Sequence, residues 1–299
     1  MAEGNGNAKQ TGLMLIGMGP GLLASMTSEA ITAAEAADFR YYEAYTAIWP
    51  TEELERLEQR VGPIKKVMRP EIEQPQEILN LAKKSLVAVL IVGDPLQATT
   101  HVDLQLQAME KEIDCRIIHG ISITNIVTGA IGLSNYKFGR QTTLTYPYAN
   151  WVATSPLEVL AINRIMGQHT LALLDLDPTG AGVGQQRPMR PKDAVESISL
   201  MIDKISTDVE NIDDGDAFGK MKKQAIGELI ATKFTDWPVV LCSDMGADNQ
   251  SITYTNLAKL GDLTGGNMNC LVFPASTSDV EEKALLRWSR EEGLSLIHI

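Results

Sequence analysis

Apolar residues come along this chain in short unbroken blocks. Residues 13–18 (LMLIGM) and 87–92 (VAVLIV) contain no charged or polar side chain, the mark of strands covered on both faces. Other segments place apolar residues three and four apart and read as helices: 28–37, 51–60 with Thr51 as its cap, 76–84 and 102–111. Runs at 39–45, 64–68 and 115–119 predict further strands, and 122–132 a short helix. Strand and helix alternate throughout this half. That order predicts an α/β fold with a mostly parallel, doubly wound sheet and ligands at the carboxyl ends of its strands.

From about Lys137 the rhythm changes. Strand and turn at 140–148 precede a helix at 156–166 and a strand at 169–175. A Gly/Pro-rich loop (177–191), a helix (192–206) and an acidic surface loop (208–216) follow. Strands at 239–243, 251–255 and 270–273 then come close together before a closing helix at 280–290, which predicts a mixed sheet. The expected organisation is a disordered N-terminal tail over 1–12, an N-terminal α/β domain over 13–136, a C-terminal α/β domain over 137–290 and a tail over 291–299. A cleft between the two halves is the expected ligand site.

Bulk properties narrow the function. A chain of 299 residues that is 44% hydrophobic has room for two cores. With 26 Lys+Arg against 38 Asp+Glu, a net charge of −12, it lacks the basic surface that nucleic-acid binding needs. No apolar run reaches membrane-span length, and the polar start lacks a signal-peptide pattern. The three cysteines form no CxxC pair and read as buried free thiols of a reducing cytoplasm. The four histidines show no metal-ligand spacing, so no metal site is expected.

Five motifs carry candidate chemistry. In IGMGPG (16–21) the third glycine comes one residue too early for a dinucleotide fingerprint, so the glycines mark the close approach of a ligand or of another backbone. In GDP (93–95) the proline holds Asp94 extended at the tip of the most apolar strand. There Asp94 either meets a ligand or caps the helix that follows. ATTH (98–101) offers Thr99 or Thr100 as a helix cap, and His101 as a structural or substrate-orienting residue. HGISITN (119–125) repeats the strand–glycine–helix theme, bringing Ser122 and Ile123 to the same sheet edge as Asp94. TYPYANW (145–151) is an aromatic loop, a substrate lip or a hydrophobic plug.

Together IGMGPG, GDPLQATTH, HGISITNIVTGAIGLSNYKFGR, YPYANW and HTLALLDL resemble diphthine synthase, within the tetrapyrrole (corrin/porphyrin) methylase superfamily. The resemblance is densest over 13–177 and thinner to about 286. It implies a cytoplasmic, homodimeric methyltransferase that uses S-adenosyl-L-methionine and releases S-adenosyl-L-homocysteine. Its implied substrate is the modified histidine of translation elongation factor 2, whose amino group is methylated successively. A tetrapyrrole methylase and a noncatalytic relative are the alternatives. The implied cofactor contacts are Pro20, Asp94, Gln97, Ser122, Ile123, Leu174, Met245 and Asn269. This chain departs from the family pattern at 20, 97, 245 and 269. A basic position of the family is Asp244 here, within CSDMGAD (242–248).

Overall fold

The computed structural model describes residues 10–148, 151–184 and 186–289. Both expected tails lie outside these residues, except for 10–12, of which Gly12 already opens a strand. So do Ala149 and Asn150 of the aromatic loop and Gln185 of the Gly/Pro-rich loop. The chain packs as two compact units, one within Met1–Ile123 plus Ala181–Gly184, the other within Thr124–Gly180 plus Gln185–Ile299.

The first unit runs β1 (Gly12–Gly17), α1 (Ser28–Ala36), β2 (Phe39–Glu43), α2 (Thr51–Val61), β3 (Lys65–Val67), α3 (Arg69–Glu73), α4 (Gln76–Ala82), β4 (Leu86–Ile91), α5 (Val102–Glu110) and β5 (Cys115–Ile118). Its five strands lie in the order β3-β2-β4-β1-β5, with every pair parallel. The unbroken apolar blocks now have their cause. Along β4, Leu86, Ala88 and Leu90 pack into one core layer, while Val87, Val89 and Ile91 pack into the other. Each fully buried aliphatic side chain contributes about 1.5–3 kcal/mol relative to exposure, so a polar residue anywhere in β4 is excluded. Thr51 does not cap α2: Pro50 holds the cap position, without a side-chain bond, and Thr51 is the first helical residue.

The parallel strands all end on one edge, and three of those ends meet without side chains. A Cβ at Gly17 would lie 2.5 Å from Gly120 N and 2.7 Å from Gly93 O. A Cβ at Gly120 would lie 2.2 Å from Gly93 O and 2.8 Å from Gly17 Cα. Gly19 and Gly93 exchange both backbone hydrogen bonds, at 3.1 and 2.9 Å. The glycines of IGMGPG therefore answer first to other backbones.

The chain enters the second unit within α6 (Ile123–Ala130). There β6 (Thr142–Leu144), α7 (Ser155–Ile165), β7 (Thr170–Leu174), α8 (Pro191–Asp208), α9 (Ala217–Ala231), β8 (Pro238–Ser243), β9 (Ser251–Asn256), α10 (Leu257–Leu260), β10 (Asn269–Phe273) and α11 (Asp279–Leu286) follow. The sheet order is β6-β7-β10-β8-β9; only β6 and β7 are parallel, so the sheet is mixed as expected. α9 escapes a reading by periodicity. Gly219 and Gly227 thin its apolar stripe, and it is anchored by Asp216, whose carboxylate accepts from Gly219 N at 2.7 Å. Cys242 and Cys270 are directly paired across β8 and β10, both buried and free. Cys115 is free but only half-buried.

The histidine of HTLALLDL closes this unit. His169 is fully buried; its Nδ1 accepts from Ala275 N at 3.0 Å, so Nε2 carries the proton and donates to Glu281 Oε1 at 3.2 Å. Glu281 also accepts from Ser134 N, Lys137 Nζ and Ser278 N. Burial would raise its carboxyl, but these donors together hold it well below the usual carboxylate range.

The glycine junction yields a paired test. Gly120→Ala forces a methyl between two backbones and should cost about 1–3 kcal/mol or more. Gly129→Ala, where a Cβ meets nothing within 4 Å, should leave stability equal or raise it by up to about 1 kcal/mol. Urea unfolding midpoints read both; a Gly120→Ala midpoint equal to the wild type would show that the junction does not constrain the fold.

Candidate functional site

The site edge of the first unit is organised by Asp94. This carboxylate is 7% exposed, and both of its oxygens are engaged. Oδ1 accepts from Leu96 N at 3.0 Å. Oδ2 accepts from His119 Nδ1 at 2.8 Å and from Gly120 N at 3.3 Å. Asp94 is thus neither a lone acid nor the cap of α5. It ties the end of β4 to the end of β5 across the glycine junction. The cap position of α5 belongs to His101, without a side-chain bond, and not to Thr99 or Thr100. Thr99 Oγ1 instead donates to Pro95 O at 3.0 Å and accepts from His101 N at 3.1 Å, spending itself on the turn. The same edge carries Pro20 after β1, exposed Gln97 after β4, and buried Ser122 with half-buried Ile123 after β5. Gly93 leaves open ground here: a Cβ on it would meet only Ser122 Cα at 3.8 Å and Ile121 O at 4.0 Å.

Next to this edge, at the end of β2, lies a second polar group. Glu43 is fully buried and accepts from Tyr45 N, Thr46 N and Thr46 Oγ1 at 2.5–2.8 Å. His101 is 1% exposed, and its Nε2 lies 3.8 Å from Glu43 Oε2, beyond a hydrogen bond. Neither ring nitrogen has a hydrogen-bond partner, so His101 is buried but not the satisfied structural histidine expected. Burial alone pushes its pKa down to about 4, and burial raises that of Glu43.

In the second unit the expected residues gather at the carboxyl ends of β7 and β8. β10 runs antiparallel to both, which brings its first residue, Asn269, opposite Ser243. Leu174 ends β7 with its side chain in the core, so only its backbone faces outward chemistry. Asn269 is engaged internally: Oδ1 accepts from Ser243 Oγ at 2.7 Å and Gly266 N at 2.8 Å, and Nδ2 donates to Gly266 O at 3.1 Å. Asp244, in the left-handed region at φ +48°, accepts from Met268 N and Asn249 Nδ2. Met245 is buried beside it in sequence. Two positions that depart from the family pattern, 244 and 269, thus serve one locked pair of loops. Among the described residues no group of three or more His, Cys, Asp or Glu could hold a metal ion.

Residues 12–261 match the family profile described as Tetrapyrrole (Corrin/Porphyrin) Methylases. The chain is 32% identical over 276 residues to a diphthine synthase of Methanothermobacter thermautotrophicus, covering 92% of this chain and 94% of that protein. The chain belongs to the tetrapyrrole methylase family, on its diphthine synthase branch. The diphthine synthase of Methanoregula boonei is 36% identical over 166 residues, 55% of this chain and 66% of that protein. A crystal structure of diphthine synthase superposes with a TM-score of 0.72 at 26% identity, covering 93% of this chain and 95% of that one. A conserved hypothetical protein from Aeropyrum pernix K1 superposes with a TM-score of 0.76 at 27% identity, covering 95% and 91%.

Within this family frame, His119 and Asp175 are the residues that motif reading passed over. The signal for His119 was present, since it precedes the glycine that repeats Gly93 at the end of β5. Asp175 follows Leu174 at the end of β7, as Asp94 follows the end of β4. Its Oδ2 accepts from Tyr148 Oη at 2.5 Å and from Tyr146 N at 3.3 Å. The loop arginines are already engaged: Arg190 donates to Gly266 O at 2.5 Å, and Arg187 lies 3.7 Å from Asp193 and over the Tyr146 ring.

His101 gives a pH prediction with a definite sign. The folded state disfavours the imidazolium, so the unfolded chain binds the proton more tightly. Stability is therefore full above pH 6.5 and falls as pH drops through 6.5 toward about 4. That window is worth up to roughly 3 kcal/mol. Glu43, with its raised pKa, acts in the opposite sense at the lower end. His101→Leu should flatten the Tm profile between pH 6.5 and 4; an unchanged profile would mean that another group controls it.

Proposed function

We propose that this chain is an S-adenosylmethionine-dependent methyltransferase, a diphthine synthase that methylates the amino group of the modified histidine of translation elongation factor 2. The family match over residues 12–261, together with a diphthine synthase relative covered over 94% of its length, carries this reading. The chain's charge of −12 and the absence of a long apolar helix among the described residues suit a cytoplasmic enzyme. A homodimer is part of the same proposal.

The strand-end edge fits the cofactor in its own chemistry. Gly93 offers open, side-chain-free backbone beside Ser122, and Asp94 places a carboxylate there. When bound, S-adenosylmethionine supplies a methyl group already activated on a sulfonium. Asp94 uses three of its roughly four lone-pair directions internally and keeps acceptor capacity and negative charge for a cationic or hydroxylated ligand. Its ties to Leu96 and Gly120 hold that charge still, so no reorganisation is needed when the ligand arrives. Ser122 and Ile123 border the same ground from β5, and Pro20 and Gln97 flank it. Leu174, Met245 and Asn269 complete the proposed contact set; Leu174 and Asn269 act through backbone, since their side chains are occupied within the second unit. Methyl transfer from a sulfonium to an amine needs positioning above acid–base assistance, which accords with an edge that offers held dipoles and one fixed charge.

Titration calorimetry should show saturable binding of S-adenosylmethionine and S-adenosylhomocysteine. Incubation with elongation factor 2 bearing the unmethylated arm should add mass in methyl steps. Asp94→Ala should weaken cofactor binding about 10- to 150-fold, from the loss of one charged hydrogen bond. It should also lower Tm, because Gly120 N and Leu96 N lose their acceptor. Normal affinity in Asp94→Ala would restrict the residue to its structural tie, and absence of cofactor binding by the wild type would remove the assignment.

A further inference from the structure

The aromatic loop TYPYANW has no role in the cofactor edge, yet the second unit holds it firmly. Tyr148 and Trp151 exchange both backbone hydrogen bonds, at 3.0 and 2.8 Å, which ties the two residues side by side. Their rings stack at 6.1 Å with 16° between planes. Lys204 donates to Val152 O at 2.7 Å and sets its ammonium 6.0 Å from the Trp151 ring. Gly180 closes on the Tyr148 ring, where a Cβ would lie 3.0 Å from Cε1. All this order presents an indole that is 54% exposed. A hydrophobic plug would hide that ring. An exposed tryptophan held by its backbone bridge and a stacked neighbour is the residue type and setting that dominate protein recognition.

Tyr148 is also tied to the chemistry-bearing edge of its unit. The hydroxyl of Tyr148 donates to Asp175, and Asp175 immediately follows Leu174 at the end of β7. Asp175 accepts as well from Tyr146 N and Asp177 N, so one carboxylate fixes Tyr146 and Tyr148 together. Asp193 adds negative charge beside Tyr146 and Arg187, while the Lys204 ammonium is the charge that stands against the indole itself.

We propose that Trp151 is a specificity-determining contact for the protein acceptor, and that Asp175 is a positioning residue acting through Tyr148. This rests on the function proposed above. The acceptor offers a flat imidazole and an arm that gains permanent positive charge as methyls accumulate. The exposed indole matches both features, by stacking on the imidazole and by cation–π attraction to the charged arm.

The test uses the full chain loaded with S-adenosylhomocysteine and measures its binding to elongation factor 2, alongside steady-state methylation. Trp151→Ala should weaken acceptor binding and raise the acceptor KM by about 10-fold or more, as expected for an interface anchor. The affinity for S-adenosylmethionine should stay unchanged and kcat within about twofold of the wild type. Trp151→Phe should recover most of the loss, and Tyr148→Phe, which removes the bond to Asp175 but keeps the ring, should shift KM in the same direction by less. An acceptor KM equal to the wild type in Trp151→Ala, with cofactor binding and methylation intact, overturns the inference while sparing the proposed function. A wild type that binds cofactor but neither binds nor methylates elongation factor 2 overturns both. If Trp151→Ala does not fold, the Tyr148→Phe and Trp151→Phe comparisons decide: no KM change in either overturns the proposal.

Discussion

The first unit depends on three strand ends approaching one another with nothing but backbone between them. Gly17 and Gly120 press against each other and against the Gly93 carbonyl at distances where neither could carry a side chain. Asp94 then bridges the two outer ends by accepting from the loop after β5. Parallel strands ending together would otherwise leave peptide groups facing an apolar core without partners. The glycines remove the steric obstacle and the carboxylate satisfies the donors. Everything offered at that edge, including the open ground over Gly93 and the serine beside it, exists because these two requirements are met together.

The second unit solves the same problem by different means. Its strand ends are fixed by side chains that hydrogen-bond across loops: Asp175 at the end of β7, Asp244 after β8 and Asn269 at the start of β10. Asn269 answers Ser243 and Gly266 at once, and Asp244 answers Met268 and Asn249. A loop pair satisfied internally in this way tolerates unusual residues, provided they change together. That is a physical reason for CSDMGAD to stand here with no basic residue.

Much of the first unit was legible in the sequence, because a fully buried parallel strand admits no polar residue and leaves an unmistakable block, as at 87–92. The strand-end location of Asp94 followed from the proline after it. Its bonding did not, because His119 and Gly120 lie 25 and 26 residues away and meet it only through the sheet order β4-β1-β5. Caps were read less well: Thr51 and Thr99 have the right chemistry, but Pro50 and the turn at 95–101 had already settled the backbone. α9 was missed because its two glycines dilute periodicity while tertiary packing of Ala225, Ile226 and Leu229 supplies the stability. The partners of Tyr148 were invisible for the same reason as those of Asp94, since Asp175 is brought to it by the loop after β7.

The sheet order of the second unit also sets a timetable. β10 sits between β7 and β8, yet of the five described strands of this sheet it is the last to leave the ribosome, with Asn269 following Thr170 by 99 positions. Until it emerges, β7 and β8 have no strand between them and each shows an unpaired edge. The socket around His169 waits longer still, because its acid comes from α11. The core of this half therefore cannot close until β10 and α11 have both been made, whereas the first unit has all five strands in hand by Ile118. The nascent chain thus carries a complete first sheet beside a second sheet that still lacks its middle strand, and that open sheet is where holding chaperones have their substrate.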